Sequence, residues 1–506
     1  MMQLTRSLQF GLLTAMLWAG GIEAQQIRRT GRGTARLDAR LDGILANSDY
    51  RVLSRDTVIA RTDTLVGPVL TLGNRLVIEG VVRGHLAIVD ANVYARPTAH
   101  IMGDVTNIGG GFYRSEQATI TGSLSDHPLA PYHVEKAEDR ITIVGDVEHK
   151  YVRPVLKPPQ ANRVEGFRPY VGVVLVTPPM GRVGLELQGW AAYGFEIGEW
   201  EDALQGGAEL RVRRGLTHVG VGTEKTTWTN DAWIRGDLDN TVAFLWHGRD
   251  YRNYYQAQRQ YIVLGRELVR GPHDAVLSLR GQREDARSQL RGDPWVLLSP
   301  DSFRINPAID EGVISSAILN LRGEWTGLKA QAEYDVGLEV GRPDVFDGQH
   351  DFRAFRVWAE WAMQALANHT LELEGYFQGP LGTDSLPRQR WSMLGGSGTL
   401  YTFEIGEFFG DRVAYVESKY SIPLWPALRV PVLGLPRLQL LHHIGMAWTF
   451  NEDRAFQQNV GVRLQFPFLY ARVVTDPSDL NDAEFAVGVT FPRGAYPWER
   501  RSEGRR

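Results

Sequence analysis

The chain has 506 residues and a formal net charge of −4, with 55 Lys and Arg against 59 Asp and Glu; 43% of its residues are hydrophobic and 23% charged. This composition excludes a disordered chain or a helical membrane protein and leaves room for two or three folded domains. The basic residues are interleaved with acids, so no nucleic-acid partner is expected, and the absence of cysteine excludes disulfides, thiolate metal sites, a catalytic thiol and an acylated N-terminal cysteine.

Residues 1–24 carry Arg6, an apolar run from Phe10 to Trp18 and small residues ending at Ala24, the layout of a secretory signal peptide. The alternative is an N-terminal amphipathic helix of a cytosolic protein. No later segment holds the roughly 20 uninterrupted apolar residues of a transmembrane helix. An exported chain without a helical anchor is periplasmic, secreted or a β-barrel. After a linker over 25–62, residues 63–147 repeat an apolar–x–Gly–x–apolar unit: Ile78, Gly80, Val82; Ile101, Gly103, Val105; Ile120, Gly122, Leu124; Ile143, Gly145, Val147. Glycines recurring at intervals of about 20 residues suit a β-solenoid whose coils bury an aliphatic and turn at glycine; an antiparallel sheet with glycine turns is the alternative. Over roughly Asp63 to Leu124 this part resembles a bactofilin-type β-helix, which implies a scaffold that self-associates. A proline-rich connector follows at 148–166, including Arg153 to Asn162, read as an extended spacer because proline cannot donate to a ladder.

Residues 167–491 form a procession of alternating segments bounded by Gly, Asn and Asp, many long enough to cross a bilayer when tilted, such as Val183 to Phe195, Tyr261 to Val269, Val313 to Trp325 and Val413 to Leu424. About 14 to 16 are legible, and closure favours an even number, sixteen. In Leu328 to Glu339 the residues Lys329, Gln331, Glu333 and Asp335 share one parity, expected to face a polar lumen, while Ala330, Ala332, Tyr334 and Val336 share the other, facing lipid. Trp190, Tyr193, Trp228, Trp233, Trp325, Trp391, Trp425 and Trp448 lie toward segment ends, where aromatic rings settle at a membrane interface. The expected fold is therefore all-β: a transmembrane antiparallel barrel of about 16 strands after a small β-solenoid, with a charged tail over 492–506. A soluble β-sandwich or propeller would alternate in the same way.

The stretch from Met393 to Phe409, then Gly410, Asp411 and a strand ending Ile422, Pro423, Leu424, resembles the sixth extracellular loop and following strand of the BamA- and TamA-type surface-antigen superfamily of outer-membrane barrels. Asn162 to Phe167 and Gly189 to Phe195 resemble the start of its shorter barrels, so the likeness spans about Asn162 to Phe491. In that family the loop folds into the lumen, and the arginine of a Val-Arg-Gly-Phe signature pairs with an acid on the inner wall. The corresponding residues here are Leu400, Tyr401, Thr402 and Phe403, after Gly395 and Gly396, and the wall motif aligns with Leu441 to Gly445, placing His443 where the acid belongs. Losing one charge would strand the other, whereas losing both need not, so an altered lock is expected, with a hydrogen bond between Tyr401 and His443. The POTRA repeats that precede such barrels are absent, and the solenoid stands in their place.

The resemblance implies a Gram-negative outer-membrane protein with its solenoid in the periplasm, which assists assembly or translocation of proteins or lipids through a weak seam, Phe167 to Thr177 against Glu484 to Phe491. Its partners would be outer-membrane lipid, client polypeptides or lipids, and further copies joined through the solenoid; no cofactor, metal or enzymatic activity is implied. The alternatives are a structural anchor carrying the solenoid and a passive pore. Gly395, Gly396, Ser397, Gly398 approaches a nucleophile elbow but has Thr399 in place of the last glycine. His218 and Ser315 are joined by no motif, and Asp237 to Tyr255 reads as a strand and loop, or as a binding site.

Overall fold

The computed structural model describes residues 26–146 and 152–489, apart from 116, 138–139, 178–182, 290–291, 293, 299–302, 383–384, 425–434, 451, 453–454 and 468. The signal peptide, Trp425 and the tail 492–506 lie outside the described residues. Two compact units divide at 148/149.

The first unit is the expected solenoid, beginning earlier than its glycine pattern suggests. Short parallel strands stack coil on coil: Arg51–Leu53 on Val69–Leu72 on Leu86–Ala95 on Val105–Arg114 on Leu124–His127. Hydrogen bonds between equivalent positions, such as Asn107 to Asp126 and Ser123 to Asp104, span 19 residues, one coil. Leu76, Ile78, Val82, Ile88, Val93 and Ile101 fill the interior. From Gly103 that period falls on Gly84 and Gly122, and a Cβ at Gly103 would lie 2.5 Å from the Gly84 carbonyl oxygen. Gly80 is out of phase and occupies a different corner, against the carbonyls of Ala60 and Asp63. Gly145 turns no coil: it lies in Arg140–Asp146, opposite Gly31 of the parallel strand Gln26–Arg32 and Tyr132 of the antiparallel strand Tyr132–Lys136. This sheet and helix α1 (Ala35–Leu45) cover one outer face of the coils, burying Leu70, Leu72, Ala87 and Val89 from the second side. The expected linker is thus folded. Its signal was Leu37, Leu41 and Leu45 at helical spacing after the capping Thr34.

The glycine column gives a prediction. Gly103→Val should destabilise the solenoid by about 1–3 kcal/mol through overpacking, read as a lower denaturant midpoint, whereas Gly43→Ala, with nothing within 4 Å of the added Cβ, should not. An unchanged midpoint for Gly103→Val would contradict the close stacking.

The second unit is built on an antiparallel sheet that, among the described residues, has 16 strands in chain order, the number expected. They are β1 (Val152–Leu156), β2 (Tyr170–Val176), β3 (Val183–Tyr193), β4 (Leu204–Arg214), β5 (Thr217–Trp228), β6 (Tyr255–Arg270), β7 (His273–Ser288) and β8 (Gly312–Thr326). The second half is β9 (Ala330–Gly341), β10 (Phe352–Gln364), β11 (Thr370–Pro380), β12 (Arg412–Pro423), β13 (Arg437–Trp448), β14 (Gln457–Gln465), β15 (Leu469–Asp476) and β16 (Asp479–Val489). Alternation sets the faces: Val171, Val173 and Leu175, Val219 and Val221, and Ile262 and Leu264 are exposed outward, while residues of the other parity line the inside. Apart from 424–436 at the first end and 477–478 at the second, connections are short at one end, as at 215–216, 271–272 and 327–329, and longer at the other, as at 229–254, 289–311 and 381–411. The sheet curls into a barrel, because the single stretch 385–411 meets inner-wall residues on strands from β7 to β15.

Three expectations change. The proline-rich connector contributes the first strand, with Pro154 opposite Val173; an edge strand tolerates proline because one side of its backbone needs no partner from the sheet. The terminal strands are therefore β1 and β16, not Phe167 to Thr177 against the last strand. Asp237 to His247 is a helix, α2, started by Asp237 and Asp239 in its first turn and ended by left-handed Gly248. Of the aromatics, Tyr193, Trp325 and Trp448 have outward parity, but Trp190 stacks on inward Tyr170, Trp228 lies under Arg259, and Trp233 stacks on Tyr376.

Candidate functional site

The loop 385–411 enters the lumen at the long-connection end. Its reversal needs backbone that only glycine adopts readily: Gly395 and Gly396 have φ of +112° and +79°, and a Cβ on Gly395 would meet the Glu404 carbonyl. Leu400 is fully buried and clusters with Leu394, Phe408, Tyr376 and Tyr415, with Phe403 at the edge of the group. Gly445 on β13 leaves room for Leu394, whose side chain would lie 3.0 Å from an added Cβ.

Every residue expected at the lock is brought together, although the hydrogen bonding differs. Tyr401 meets His443 edge to face, with ring centroids 4.7 Å apart at 79°. In place of the expected Tyr401–His443 hydrogen bond, His443 Nδ1 and the Tyr415 hydroxyl are hydrogen-bonded at 2.8 Å, because Tyr415 stands on the neighbouring strand β12. Thr402 Oγ1 accepts from Asn459 Nδ2 at 2.9 Å. The cation at this lock comes from the wall: the Arg472 guanidinium of β15 lies 3.9 Å from the Tyr401 ring centroid, and its Nη2 donates to Ser397 Oγ at 2.8 Å and to Glu484 Oε1 at 3.2 Å.

A second anchorage was not expected. Arg390, at the start of the loop, donates from Nη1 to Glu284 of β7 at 2.9 Å, and from Nε and Nη2 to Glu339 of β9 at 2.9 and 3.0 Å. Glu284 is fully buried and also receives Arg259 Nε at 2.5 Å. This is a loop arginine on wall carboxylates, the chemistry the resemblance implied, at a different place in the loop. Farther along, Asp231 accepts from Ser392 Oγ at 2.6 Å and from the Met393 amide at 3.1 Å; burial pushes its carboxyl above the usual range against the pull of these bonds.

Residues 160–168 close the same end as a small hairpin. Arg163 pairs with Asp250 at 3.2 Å, both side chains almost fully buried, and donates to Asn306 and to the Arg252 carbonyl. Arg252 in turn reaches Asp237 at the start of α2. Below the loop, Glu324, Glu333, Glu360, Glu374 and Glu417 stand directly opposite one another on β8 to β12 and lead to His443. Like charges at such positions oppose pairing; Lys419 relieves part of this at 3.2 Å from Glu417 and 3.3 Å from Glu372, and Trp358 Nε1 donates to Glu374. Ser397 serves Arg472 rather than an elbow, and His218 on β5 and Ser315 on β8 have two strands between them.

No protein-family model and no curated protein matches the chain. Among solved structures it is similar to CdiB from Escherichia coli, with 14% identity over 71% of this chain and 67% of that one and a TM-score of 0.41. It is also similar to BamA from Haemophilus ducreyi lacking POTRA domains 1–3, with 12% identity, 71% and 75% coverage and a TM-score of 0.43. A ferric enterobactin receptor from Pseudomonas aeruginosa matches at 9% identity, 67% and 64% coverage and a TM-score of 0.30. The barrel rests on its own strand registers, independently of these likenesses.

Proposed function

We propose that the chain is an outer-membrane barrel that helps polypeptides or lipids into or across the membrane by way of the seam between β1 and β16, with no covalent chemistry. The observation that carries this is the inequality of the strand pairs. Interior strands β6 and β7 register along all 16 residues of each, whereas β1 has only five residues and Pro154 at its centre. Any seam through β1 has few backbone donors to give, and a weakly paired edge accepts a client strand. The lumen is occupied by the anchored loop and hairpin, which favours a sideways route over an axial pore. Short turns at one end suit the periplasmic side, and the chain enters β1 from that end, which supports a periplasmic solenoid.

A photo-cross-linking residue at Phe485, on the outward face of β16, is expected to capture a urea-unfolded barrel client, and the same residue at Ile262 on β6 is not. Equal capture at both positions would count against a seam route. The anchor reading draws on Arg51–Leu53 and Leu124–His127, which end the solenoid's stack of parallel strands among the described residues. Deleting the solenoid without loss of function would exclude it.

A further inference from the structure

The lumen loop touches structures attached to both ends of the sheet. Toward the last strand the link is Arg472, only 4% exposed, whose guanidinium holds Ser397 and Tyr401 on one side and Glu484 of β16 on the other. Toward the first strand the link runs through the long connections. A Cβ at Gly398 would lie 3.1 Å from Ile234, and one at Gly406 3.1 Å from Arg304. Arg304 donates to Asn253 Oδ1 at 2.7 Å and to the Arg252 carbonyl at 2.9 Å, and Arg163 of the hairpin donates to those same two groups. The hairpin is joined to β1 by three residues, 157–159. A loop seated in the lumen therefore bears on both strands that border the seam.

We propose that the loop is a clasp on the seam, and that Arg472 is the positioning residue that transmits its seating to β16. This deepens the assembly reading and rests on it for its biological use, but the mechanical link stands on contacts alone. With the loop seated, the guanidinium is fixed between Ser397, the Tyr401 ring and Glu484, and β16 is held from its inner face. When the loop withdraws, Arg472 loses two of these three partners, and Glu484 is left with a side chain free to swing. The planar guanidinium is required, because a lysine ammonium can keep the charge pair with Glu484 but has no flat face to lay on Tyr401 while in-plane N–H groups donate to Ser397 and Glu484.

The test is amide hydrogen exchange on the full-length protein in lipid nanodiscs, comparing the wild type with Ser397→Ala/Tyr401→Leu and with Arg472→Lys. Folding is checked by heat-modifiable electrophoretic mobility, and Arg472→Lys serves as the variant most certain to fold. The expected result is at least tenfold faster exchange across 479–489 in both variants, with 255–288 on β6 and β7 unchanged. Exchange across 479–489 equal to wild type in folded protein would overturn the clasp, whatever a client-folding assay shows. Faster exchange with no client activity in the wild type would overturn the assembly reading and leave the clasp standing.

Discussion

Closing the seam covalently should abolish client assembly, a loss of at least tenfold that a reductant restores. The chain contains no cysteine, so introduced thiols are the only ones present. Leu156 on β1 and Phe485, Val487 and Val489 on β16 all face outward, and cysteine at Leu156 paired with each of the three in turn samples the registers open to so short a strand. The control is a Leu264→Cys/Leu279→Cys pair, which join β6 to β7 in direct register inside the sheet. A disulfide there constrains strands that never part, so activity should be kept. Full activity in a barrel with a verified β1–β16 disulfide would sink the seam mechanism, whatever the solenoid does.

Arg390→Met is expected to cost about 3–5 kcal/mol, because removing one partner of a buried pair leaves the other charge uncompensated. Glu284 would keep Arg259, but Glu339 would lose both of its Arg390 bonds and the two carboxylates would lose the guanidinium between them. The effect should appear as a lower midpoint for heat-modifiable mobility and as protease cleavage within 385–411. Adding Glu339→Gln alone to the same chain should recover part of the midpoint, since Glu284 keeps Arg259 and a neutral residue at 339 no longer needs a cation. A midpoint unchanged by Arg390→Met would show that the loop is held elsewhere.

The barrel was legible because period-two alternation is a local property: each strand declares its two faces without knowledge of its neighbours. The lock at Tyr401 and His443 was legible only through a resemblance, and there the positions were found but not the bonds. The hydrogen bond of His443 Nδ1 is shared with Tyr415, a residue of ordinary strand pattern whose role depends on the β12–β13 register. The Arg390 anchorage was invisible, since Glu284 is 106 residues and Glu339 51 residues away in sequence, and no spacing rule spans such distances. Two misreadings had local remedies. Pro154 fits a strand once that strand is terminal, and Trp228 shares the parity of Glu224 and Thr226, which already marked it as inward. The glycine period failed at Gly80 and Gly145 because a mean interval of about 20 blurred a coil of 19.

The most direct measurement is to reconstitute the purified full-length protein in liposomes and follow the folding of a urea-unfolded outer-membrane barrel client. Folding should be faster than in protein-free liposomes, abolished by the β1–β16 disulfide and restored by reductant. Folding no faster than in empty liposomes, with the reconstituted barrel verified as folded, would contradict the seam mechanism.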